Sequence, residues 1–190
     1  MTSSDRQAAR KRDDGEQVRR LQALALPHLD AAYNLARWLS GNSADAEDIV
    51  QEAFMRALRF FDSFEGDSAR PWLLAIVRNT GYTWLEKNRP TELVAFDENA
   101  AEESGEHAAG QESNPEVVVL QIAQRRLVDQ ALEELPVPFR EVLVLRELED
   151  LSYKDIARIA GVPIGTVMSR LARGRAMLRR ILEVRMRKAS

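Results

Sequence analysis

Hydrogen-bond donors recur on one face of the helix that is predicted to begin after Pro163. At 100° per residue, one side of this helix collects Gly165, Thr166, Ser169, Arg173 and Arg180. The opposite side collects the apolar residues Ile164, Val167, Leu171, Leu178, Ile181 and Leu182. Arginine can hydrogen-bond a guanine edge twice, and hydroxyl groups reach phosphates or base edges. The pattern indicates a helix that packs by one face and can enter the major groove of duplex DNA by the other.

A short helix and a tight turn are predicted to position this donor face. Ser152 can cap the short helix, with Asp155 completing a capping box, and an apolar stripe follows at Tyr153, Ile156, Ala157 and Ala160. Gly161 can take the positive φ that ends such a helix. The arrangement is typical of a helix-turn-helix. A solvated helix hairpin would share the amphipathic pattern, but the agreement of spacing, turn and donor face favours the DNA-binding interpretation.

The formal net charge of -3 conceals a separation of charge along the chain. From Ser152 to Ser190 ten lysines and arginines are opposed only by Asp155 and Glu183. From Pro90 to Gln124 there is no lysine or arginine, and eight carboxylates stand among Ala, Gly and Ser. Such a composition cannot bury a core, so residues 92–116 are predicted to form a flexible linker.

Helical periodicity on both sides of this linker predicts an all-α chain with two small domains. The first domain is assigned to residues 17–91 and the second to residues 117–184. Residues 1–16 are predicted to be a disordered tail because they mix charges with few apolar side chains, and residues 185–190 a basic tail.

The chain lacks the residues that several classes of function would need. The chain has no cysteine, and His28 and His107 have no metal-ligand spacing, so no metal or other cofactor is expected. We find no glycine-rich phosphate loop, no paired acids on strands and no Ser/His/Asp set, so an enzyme is not expected. The polar N-terminal stretch and the lack of a long apolar run predict a cytoplasmic protein without membrane insertion.

The first domain carries an acidic helix that is predicted to open near Ser43. Its buried stripe is assigned to Ile49, Ala53, Ala57 and Phe60. Asp45 lies in the first turn, and Asp48, Gln51 and Glu52 stand together on the polar face. This face is either simply solvated or a docking surface for a basic partner, and periodicity leaves both interpretations open.

A second helix, predicted from Pro71, interleaves aromatic, amide and cationic side chains. Leu73, Ile76, Thr80 and Trp84 are assigned to its inner side. Another flank carries Trp72, Asn79 and Tyr82, with cations at Arg78, Lys87 and Arg89, and the preceding loop offers Phe64. Rings that stack on bases, an amide that reads an exposed edge and cations for phosphate suit single-stranded nucleic acid. Core packing is the competing explanation for the aromatic residues, and Gly81 indicates a close approach or a bend.

Three blocks in order carry a family resemblance. The first is DAEDIVQEAFMRAL at Asp45–Leu58, and the second is FDSFEGDSARPWLLAIVRNT at Phe61–Thr80. The third is LPVPFREVLVLRELEDLSYKDIARIAGVPIGTVMSRLARGRAMLR at Leu135–Arg179. Together they resemble the bacterial extracytoplasmic-function sigma factors, the specificity subunits of RNA polymerase. The resemblance covers nearly the whole chain apart from its first residues and the acidic linker.

The resemblance implies a partner or ligand for each surface. Core RNA polymerase would bind the acidic helix through Asp45, Asp48, Gln51 and Glu52. A base flipped from the non-template strand of the minus-ten element would be held near Phe64 and Asn79, with Trp72 as a buttress and Arg78, Tyr82, Lys87 and Arg89 nearby. The minus-thirty-five element of the promoter DNA would be read by Gly165, Thr166, Ser169, Arg170 and Arg173. The linker would thread toward the RNA exit path, and an anti-sigma factor would control the protein from outside.

Two other functions remain to be weighed against this one. A stand-alone regulator would bind operator DNA tightly without polymerase, using the first domain to sense a ligand or to dimerise. A nucleic-acid-free adaptor would capture a basic partner through the Asp48 face and the linker, which would leave the basic last helix without a role.

Overall fold

Helices and turns form all the regular structure of the part of the chain described by a computed structural model, namely residues 15–61, 64, 68–94 and 126–189. No strand occurs in those ranges, and the predicted all-α class is confirmed. The chain divides into two compact units, one built mainly from residues up to Lys87 and the other mainly from the residues after it. Residues 95–125, which include most of the predicted linker, lie outside the described residues.

The first unit contains four helices within the described ranges. They are α1 at residues 15–25, α2 at Leu29–Ser40 after a 3-10 turn at Leu26–His28, α3 at Ser43–Phe60 and α4 at Ala69–Asn88. Gly41 ends α2 with a φ of 79°, and its N–H donates to the Arg37 carbonyl at 2.8 Å. Asn42 then caps α3, because its side chain accepts from the Asp45 N–H at 2.9 Å. Glycine stop and asparagine cap together make the abrupt corner between α2 and α3.

The core of the first unit lies between α2, α3 and α4. Its largest fully buried side chains are Leu35, Leu39, Ile49, Leu73, Leu74 and Leu85. A Cβ built on Gly81 would lie 2.8 Å from Cδ1 of Leu39, so the predicted close approach at this glycine is present between α4 and α2.

The second unit contains α6 at residues 126–133, α7 at Val137–Leu143, α8 at Tyr153–Ala160 and α9 at Ile164–Ala189. Its described residues also include a π-helical segment, Val144–Leu148, in which the Glu149 N–H donates to the Val144 carbonyl at 3.1 Å. The wider turn ends at Asp150, whose positive φ of 47° directs the chain toward Ser152. Leu135, Leu145, Ile156 and Leu171 are among its largest fully buried apolar side chains.

Several predicted boundaries differ from those observed. Gly15 and Glu16 already belong to α1, so the predicted disorder of residues 1–16 is wrong for these two residues. Helix α5, Pro90–Val94, carries helical backbone into the stretch assigned to the linker. Helix α9 runs to Ala189, so residues 185–189 are helical rather than a tail. Arg185 anchors this end, since its Nε donates to Oε1 of Glu134 at 2.9 Å.

Several predicted core positions are also wrong or only partly right, and Tyr153 and Ala157 of the α8 stripe are among those that are only half-buried. Phe60 is 57% exposed, because the chain turns after α3 and the next residue, Phe61, is buried in its place. Ile164 is 48% exposed in the first turn of α9. In α4, Ile76 and Trp84 are only half-buried, and the buried side is Leu73, Leu74, Val77, Thr80, Gly81 and Leu85.

Candidate polymerase and nucleic-acid interfaces

The polar face of α3 presents three side chains to solvent. Asp48, Gln51 and Glu52 are all exposed and lie within about one helical turn of each other. Oε1 of Glu52 accepts from Nε of Arg56 at 2.9 Å, and this hydrogen bond lowers the pKa of Glu52. Asp48 thus presents an exposed carboxylate on this face, whereas the carboxylate of Glu52 is paired with Arg56 of the same helix.

Asp45 has a different place on the same helix. Its side chain is half-buried, and its carboxylate accepts a hydrogen bond from the amide of Asn42. The Asn42 side chain accepts in return from the Asp45 N–H. Asp45 thus shapes the start of α3 and lies at the edge of the face rather than at its centre.

Sequence reasoning missed an apolar neighbour of this acidic face. Met55 is 50% exposed and lies seven residues after Asp48, which places it on the same side of α3 two turns farther along. The seven-residue spacing was a visible signal. It was overlooked because Met55 falls outside the buried stripe of α3.

An aromatic cluster forms where α3 ends and α4 begins. The ring centroids of Phe64 and Trp72 are 4.9 Å apart, and each lies 6.4 Å from that of Phe61. The Phe64 N–H donates to the Phe61 carbonyl at 3.0 Å, which holds Phe64 beside the helix end. The guanidinium of Arg20 on α1 lies 5.7 Å from the Phe61 centroid. Phe61 is buried, whereas Phe64 and Trp72 are half-buried and offer ring surface at the edge of the unit.

A second cluster follows on α4, about two turns after Trp72. The guanidinium of Arg78 lies 3.7 Å from the ring centroid of Tyr82, and its Nη1 donates to Oδ1 of Asn79 at 3.3 Å. Asn79 is exposed, while Arg78 and Tyr82 are half-buried. The structure therefore joins three of the predicted nucleic-acid contacts into one group.

The two remaining cations predicted for this surface lie at the end of α4. Lys87 is exposed, and its charge contributes to lowering the pKa of Glu52, after the larger effects of Arg56. Its charge therefore acts on the acidic face of α3. Arg89 is half-buried and directly follows the last residue of α4.

The helix-turn-helix of the second unit has the predicted N-cap at Ser152 and the predicted glycine stop at Gly161, whereas the Asp155 carboxylate accepts from the Ser152 hydroxyl instead of completing a capping box. Ser152 Oγ accepts from the Asp155 N–H at 3.1 Å and donates to the Asp155 carboxylate at 2.6 Å. Gly161 ends α8 with a φ of 66°, and the Val162 N–H donates to the Ala157 carbonyl. Helix α9 then begins at Ile164, and the carbonyl of Pro163 accepts from the N–H groups of Thr166 and Val167 in its first turn.

The predicted donor face of α9 is accessible along most of its length. Gly165 and Ser169 are exposed, and a Cβ built on Gly165 would meet nothing within 4 Å. Thr166 and Arg173 are half-buried. Arg170 is also half-buried but has its Nε inside the protein, so it lies closer to the packing side than predicted.

Two further side chains on this helix were not assigned to the site from the sequence. Met168 is 53% exposed, and Ile164, which was assigned to the packed face, is 48% exposed. They lie one turn apart at the start of α9. Their four-residue spacing was visible in the sequence, but their exposure depends on whether other residues of the second unit cover them, which the tertiary structure decides.

Other kinds of site find no support in the described ranges. No group of three or more His, Asp or Glu side chains there could hold a metal ion. No helix in the same ranges is both long and apolar enough to cross a membrane.

Comparison with known proteins assigns each unit to a family region. Residues 24–91 match Sigma-70 region 2, and residues 125–178 match Sigma-70 region 4. The ECF RNA polymerase sigma-E factor of Escherichia coli K12 is 42% identical over 138 residues, which cover 70% of this chain and 71% of that protein. This chain is an extracytoplasmic-function sigma factor.

Other relatives agree with this assignment of the sigma factor. The RNA polymerase sigma-H factor of Pseudomonas aeruginosa is 37% identical over 151 residues, 78% of each chain. A solved structure of the sigma factor RpoE with the anti-sigma factor NepR from Bartonella quintana matches with a TM-score of 0.63 and 33% identity, covering 86% of this chain and 96% of that one.

Family membership decides between the three functions considered from the sequence. Sigma factors act in promoter-directed transcription initiation and are not enzymes. The stand-alone regulator and the nucleic-acid-free adaptor are therefore set aside, and the predicted resemblance is confirmed.

Proposed function

We propose that this sigma factor reads its two promoter elements in two different physical states. Helix α4 receives the minus-ten element as a separated non-template strand, and α9 reads the minus-thirty-five element as an intact duplex. The observation that carries this proposal is the sequence of two groups along α4: an aromatic cluster of Phe64 and Trp72 at its start, and an amide-cation group of Asn79 and Arg78 farther along it.

The aromatic cluster suits a base that has left the double helix. Extruding a base costs a few kcal/mol of stacking and pairing, and stacking on protein rings offsets about 1–3 kcal/mol of it. Phe64 and Trp72 are tilted by 49°, so their rings form an angled wall rather than a flat stack. Such a wall can hold a base on one side while Phe61 supports it from the protein interior.

The group farther along α4 divides its tasks between an amide and a cation. Asn79 is exposed and can hydrogen-bond the Watson–Crick edge of an unpaired base. Arg78 covers one face of Tyr82, so that face cannot stack on a base and instead fixes the guanidinium for a phosphate. We therefore assign Arg78 and Tyr82 to the backbone of the strand, with Lys87 and Arg89 extending the positive path.

The face of α9 suits a duplex because its centre carries no bulky side chain. Gly165 and Ser169 leave the helix backbone open to the base edges, and Thr166, Arg170 and Arg173 flank them. Ser169 Oγ donates to the Thr166 carbonyl at 3.0 Å, so toward DNA it acts as an acceptor from a base amino group. Arg173 is the candidate for a guanine contact.

We assign core RNA polymerase to the acidic face of α3. Asp48, Gln51 and Glu52 supply the polar contacts, Met55 an apolar one, and Asp45 holds the start of the helix. On this assignment residues 17–91 act as the polymerase- and minus-ten-binding domain, and residues 117–184 as the minus-thirty-five-binding domain. The linker threads toward the RNA exit path, where its carboxylates mimic nucleic acid.

An anti-sigma factor completes the proposal. The solved relative with 33% identity was crystallised with its anti-sigma factor NepR, which supports control of the present sigma factor by a partner of the same kind. Co-expression with the anti-sigma factor would then suppress transcription from the sigma factor's promoters. Full activity in the presence of every co-encoded partner would contradict this part.

The test of polymerase docking uses charge reversal on two surfaces of the first unit. Core polymerase captured by the wild type should be lost when Asp48 and Glu52 are both changed to Arg, because two attractions become repulsions. The matched control changes Glu16 and Asp30, which are also exposed, to Arg and should retain polymerase. Equal capture by both double variants would place the docking surface elsewhere.

The test of promoter reading adds the wild type to purified core polymerase and measures transcripts from genomic promoter fragments. Promoter-specific transcripts that depend on both elements are the expected result. No gain over core polymerase on any fragment would contradict the proposed function.

A further inference from the structure

Two apolar side chains lie exposed on the part of α9 that faces the groove in the proposed function. Ile164 is 48% exposed and Met168 is 53% exposed, and they are consecutive neighbours on one side of the first two turns. Neither serves the core, which on this helix is formed by Val167 and Leu171. An apolar pair at this place is available for contact with what the helix binds.

The exposed face of α9 consists of three strips of residues that run side by side along the helix. At 100° per residue, Thr166 and Arg173 form a polar strip on one side of the face, and Gly165 and Ser169 occupy its centre. Ile164 and Met168 form the strip on the other side, with Ala172 following them. The face is thus polar at one edge and apolar at the other, with the open backbone of Gly165 between.

Only one chemical group in the major groove matches the apolar strip. Guanine, cytosine and adenine present hydrogen-bonding atoms there, whereas thymine also presents its C5 methyl group, which apolar side chains contact. We propose that Met168, with Ile164 beside it, contacts a thymine methyl group in the minus-thirty-five element and makes the sigma factor select an A·T pair there. This inference rests on the proposed function, in which α9 enters the major groove.

The neighbouring serine fits the same base pair. The hydrogen of Ser169 Oγ is directed to the Thr166 carbonyl, which leaves its lone pairs toward solvent. In the major groove an adenine presents an amino group that can donate to such an acceptor. Met168 and Ser169 together therefore complement the methyl group and the amino group that an A·T pair displays.

The chain supplies a matched control for Met168. Met186 is 62% exposed on the same helix and lies 18 residues later, which is five full turns and so the same angular position. It stands roughly 27 Å farther along the axis, beyond the reach of a groove that holds the first turns of α9. A contact made by any exposed methionine would appear at both positions, but a base contact only at Met168.

The experiment starts from holoenzyme reconstituted from the wild-type chain and core polymerase. Templates with a randomised minus-thirty-five element are selected for transcription, and each selected thymine is then replaced singly by deoxyuridine, which removes only the methyl group. Transcript yields are compared for the wild type, Met168→Leu, Met168→Gln and Met186→Gln. Glutamine preserves the length and helix preference of methionine, so the variants at these exposed positions are expected to fold.

At one position of the element, the wild type should give a transcript yield roughly fourfold lower from the deoxyuridine template than from the thymine template, because one buried methyl group is lost. Met168→Leu and Met186→Gln should show the same loss. Met168→Gln should transcribe both templates equally, at the level of the wild type on deoxyuridine.

The contradicting results are distinct from those that would overturn the proposed function. A selected element without an A·T pair, deoxyuridine that is harmless at every thymine, or a full methyl effect in Met168→Gln would refute the role of Met168 while leaving α9 as a duplex reader. If selection yields no preference at the minus-thirty-five element, the proposed role of α9 fails, and the inference about Met168 fails with it.

Discussion

The exposed faces of α4 and α9 are built from opposite kinds of side chain. On α4, Trp72 and Tyr82 lie half-buried in contact with Phe64 and Arg78 respectively. On α9, Gly165 and Ser169 leave the backbone open, and Ser169 Oγ donates to the Thr166 carbonyl of the same helix at 3.0 Å. An extruded base needs preformed rings to replace its lost stacking, whereas a duplex needs a slim helix that approaches its base edges. In the proposed function this difference between the two faces corresponds to the difference between a melted and a paired promoter element.

The two helices nevertheless share one packing device. Gly81 lets α4 approach Leu39, and Gly174 lets α9 approach Leu143 and Phe139. A Cβ at Gly81 would meet the mobile end of Leu39 at 2.8 Å, whereas at Gly174 it would meet Leu143 Cδ1 at 3.0 Å and the stem of Phe139 at 3.4 Å. Each of the two helices is thus brought close to its own core by a residue without a side chain.

The largest effect should come from removing a ring on α4. Trp72→Ala should reduce promoter opening by about 5- to 150-fold, which corresponds to the roughly 1–3 kcal/mol of one base–aromatic stack. Permanganate reactivity of minus-ten thymines in the holoenzyme complex measures the opening. Phe60→Ala, which removes an aromatic ring that is 57% exposed outside the cluster, is the control and should open promoters normally. Equal losses in both variants would remove the special role of the cluster.

The corresponding change on α9 should be smaller and confined to the duplex element. Arg173→Ala should lower minus-thirty-five-dependent transcription about tenfold, which corresponds to roughly 1.4 kcal/mol and lies in the lower part of the range of about 1–3 kcal/mol for a bidentate guanine contact. Transcription from a set of single-base variants of the element measures both yield and discrimination. Arg180→Ala, two turns later on the same side of the helix, should change little. If Arg173→Ala lowers the yield without relaxing discrimination at any base, the side chain holds a phosphate.

A cap variant should weaken the second unit alone. Ser152→Ala removes the acceptor of the Asp155 N–H and should reduce the free energy of unfolding by about 1 kcal/mol. Thermal unfolding of the full chain measures it. The loss should appear as a lower midpoint in the transition of the second unit, whereas Ser152→Thr, which keeps the hydroxyl, should lose less. A lowered midpoint for the first unit instead would contradict the assignment.

The smallest expected effect is a pH dependence of the stability of the first unit. Burial, with the charge of Arg70, lowers the pKa of His28 from its ordinary value of 6.5. Because the unfolded chain binds the proton more readily, the stability of the first unit should fall as pH drops below 6.5. Unfolding of the full chain above and below this pH should show the loss in the wild type and not in His28→Gln. Identical pH dependence in both proteins would assign it to other groups.

The features predicted correctly from the sequence are those decided by local chemistry. Ser152 and Gly161 cap and end α8 as expected, because a hydroxyl at an N-cap and a glycine at positive φ act within one helical turn. The donor face of α9 and the acidic face of α3 followed from periodicity, which assigns side chains to a side of a helix without reference to a partner. The Arg78–Tyr82 stack was also within reach, since four-residue spacing places those two side chains together.

The features that were missed depend on where neighbouring elements begin and end. Ile164 has the period of the packed face but lies in the first turn of α9, where it remains 48% exposed. Phe60 is the last residue of α3 and Phe61 follows it, and only the tertiary structure determines which of them is buried. The contacts of Phe64 with Phe61 and Trp72 join the end of one helix to the start of another across a loop. No local pattern predicts such a cluster.

The central proposal is that α4 binds the minus-ten element as a single strand and α9 binds the minus-thirty-five element as a duplex. Its most direct test is a double-mutant cycle on fork-junction DNA that is paired at the minus-thirty-five element and single-stranded at the minus-ten element. Holoenzyme affinity is measured for the wild type, Phe64→Ala and Arg173→Ala, with an abasic site placed in turn at each non-template minus-ten position. The account predicts that Phe64→Ala and the abasic site are non-additive at one position, while Arg173→Ala is additive with the abasic site at all of them. Additive losses for Phe64→Ala at every position would contradict the claim that α4 holds an extruded base.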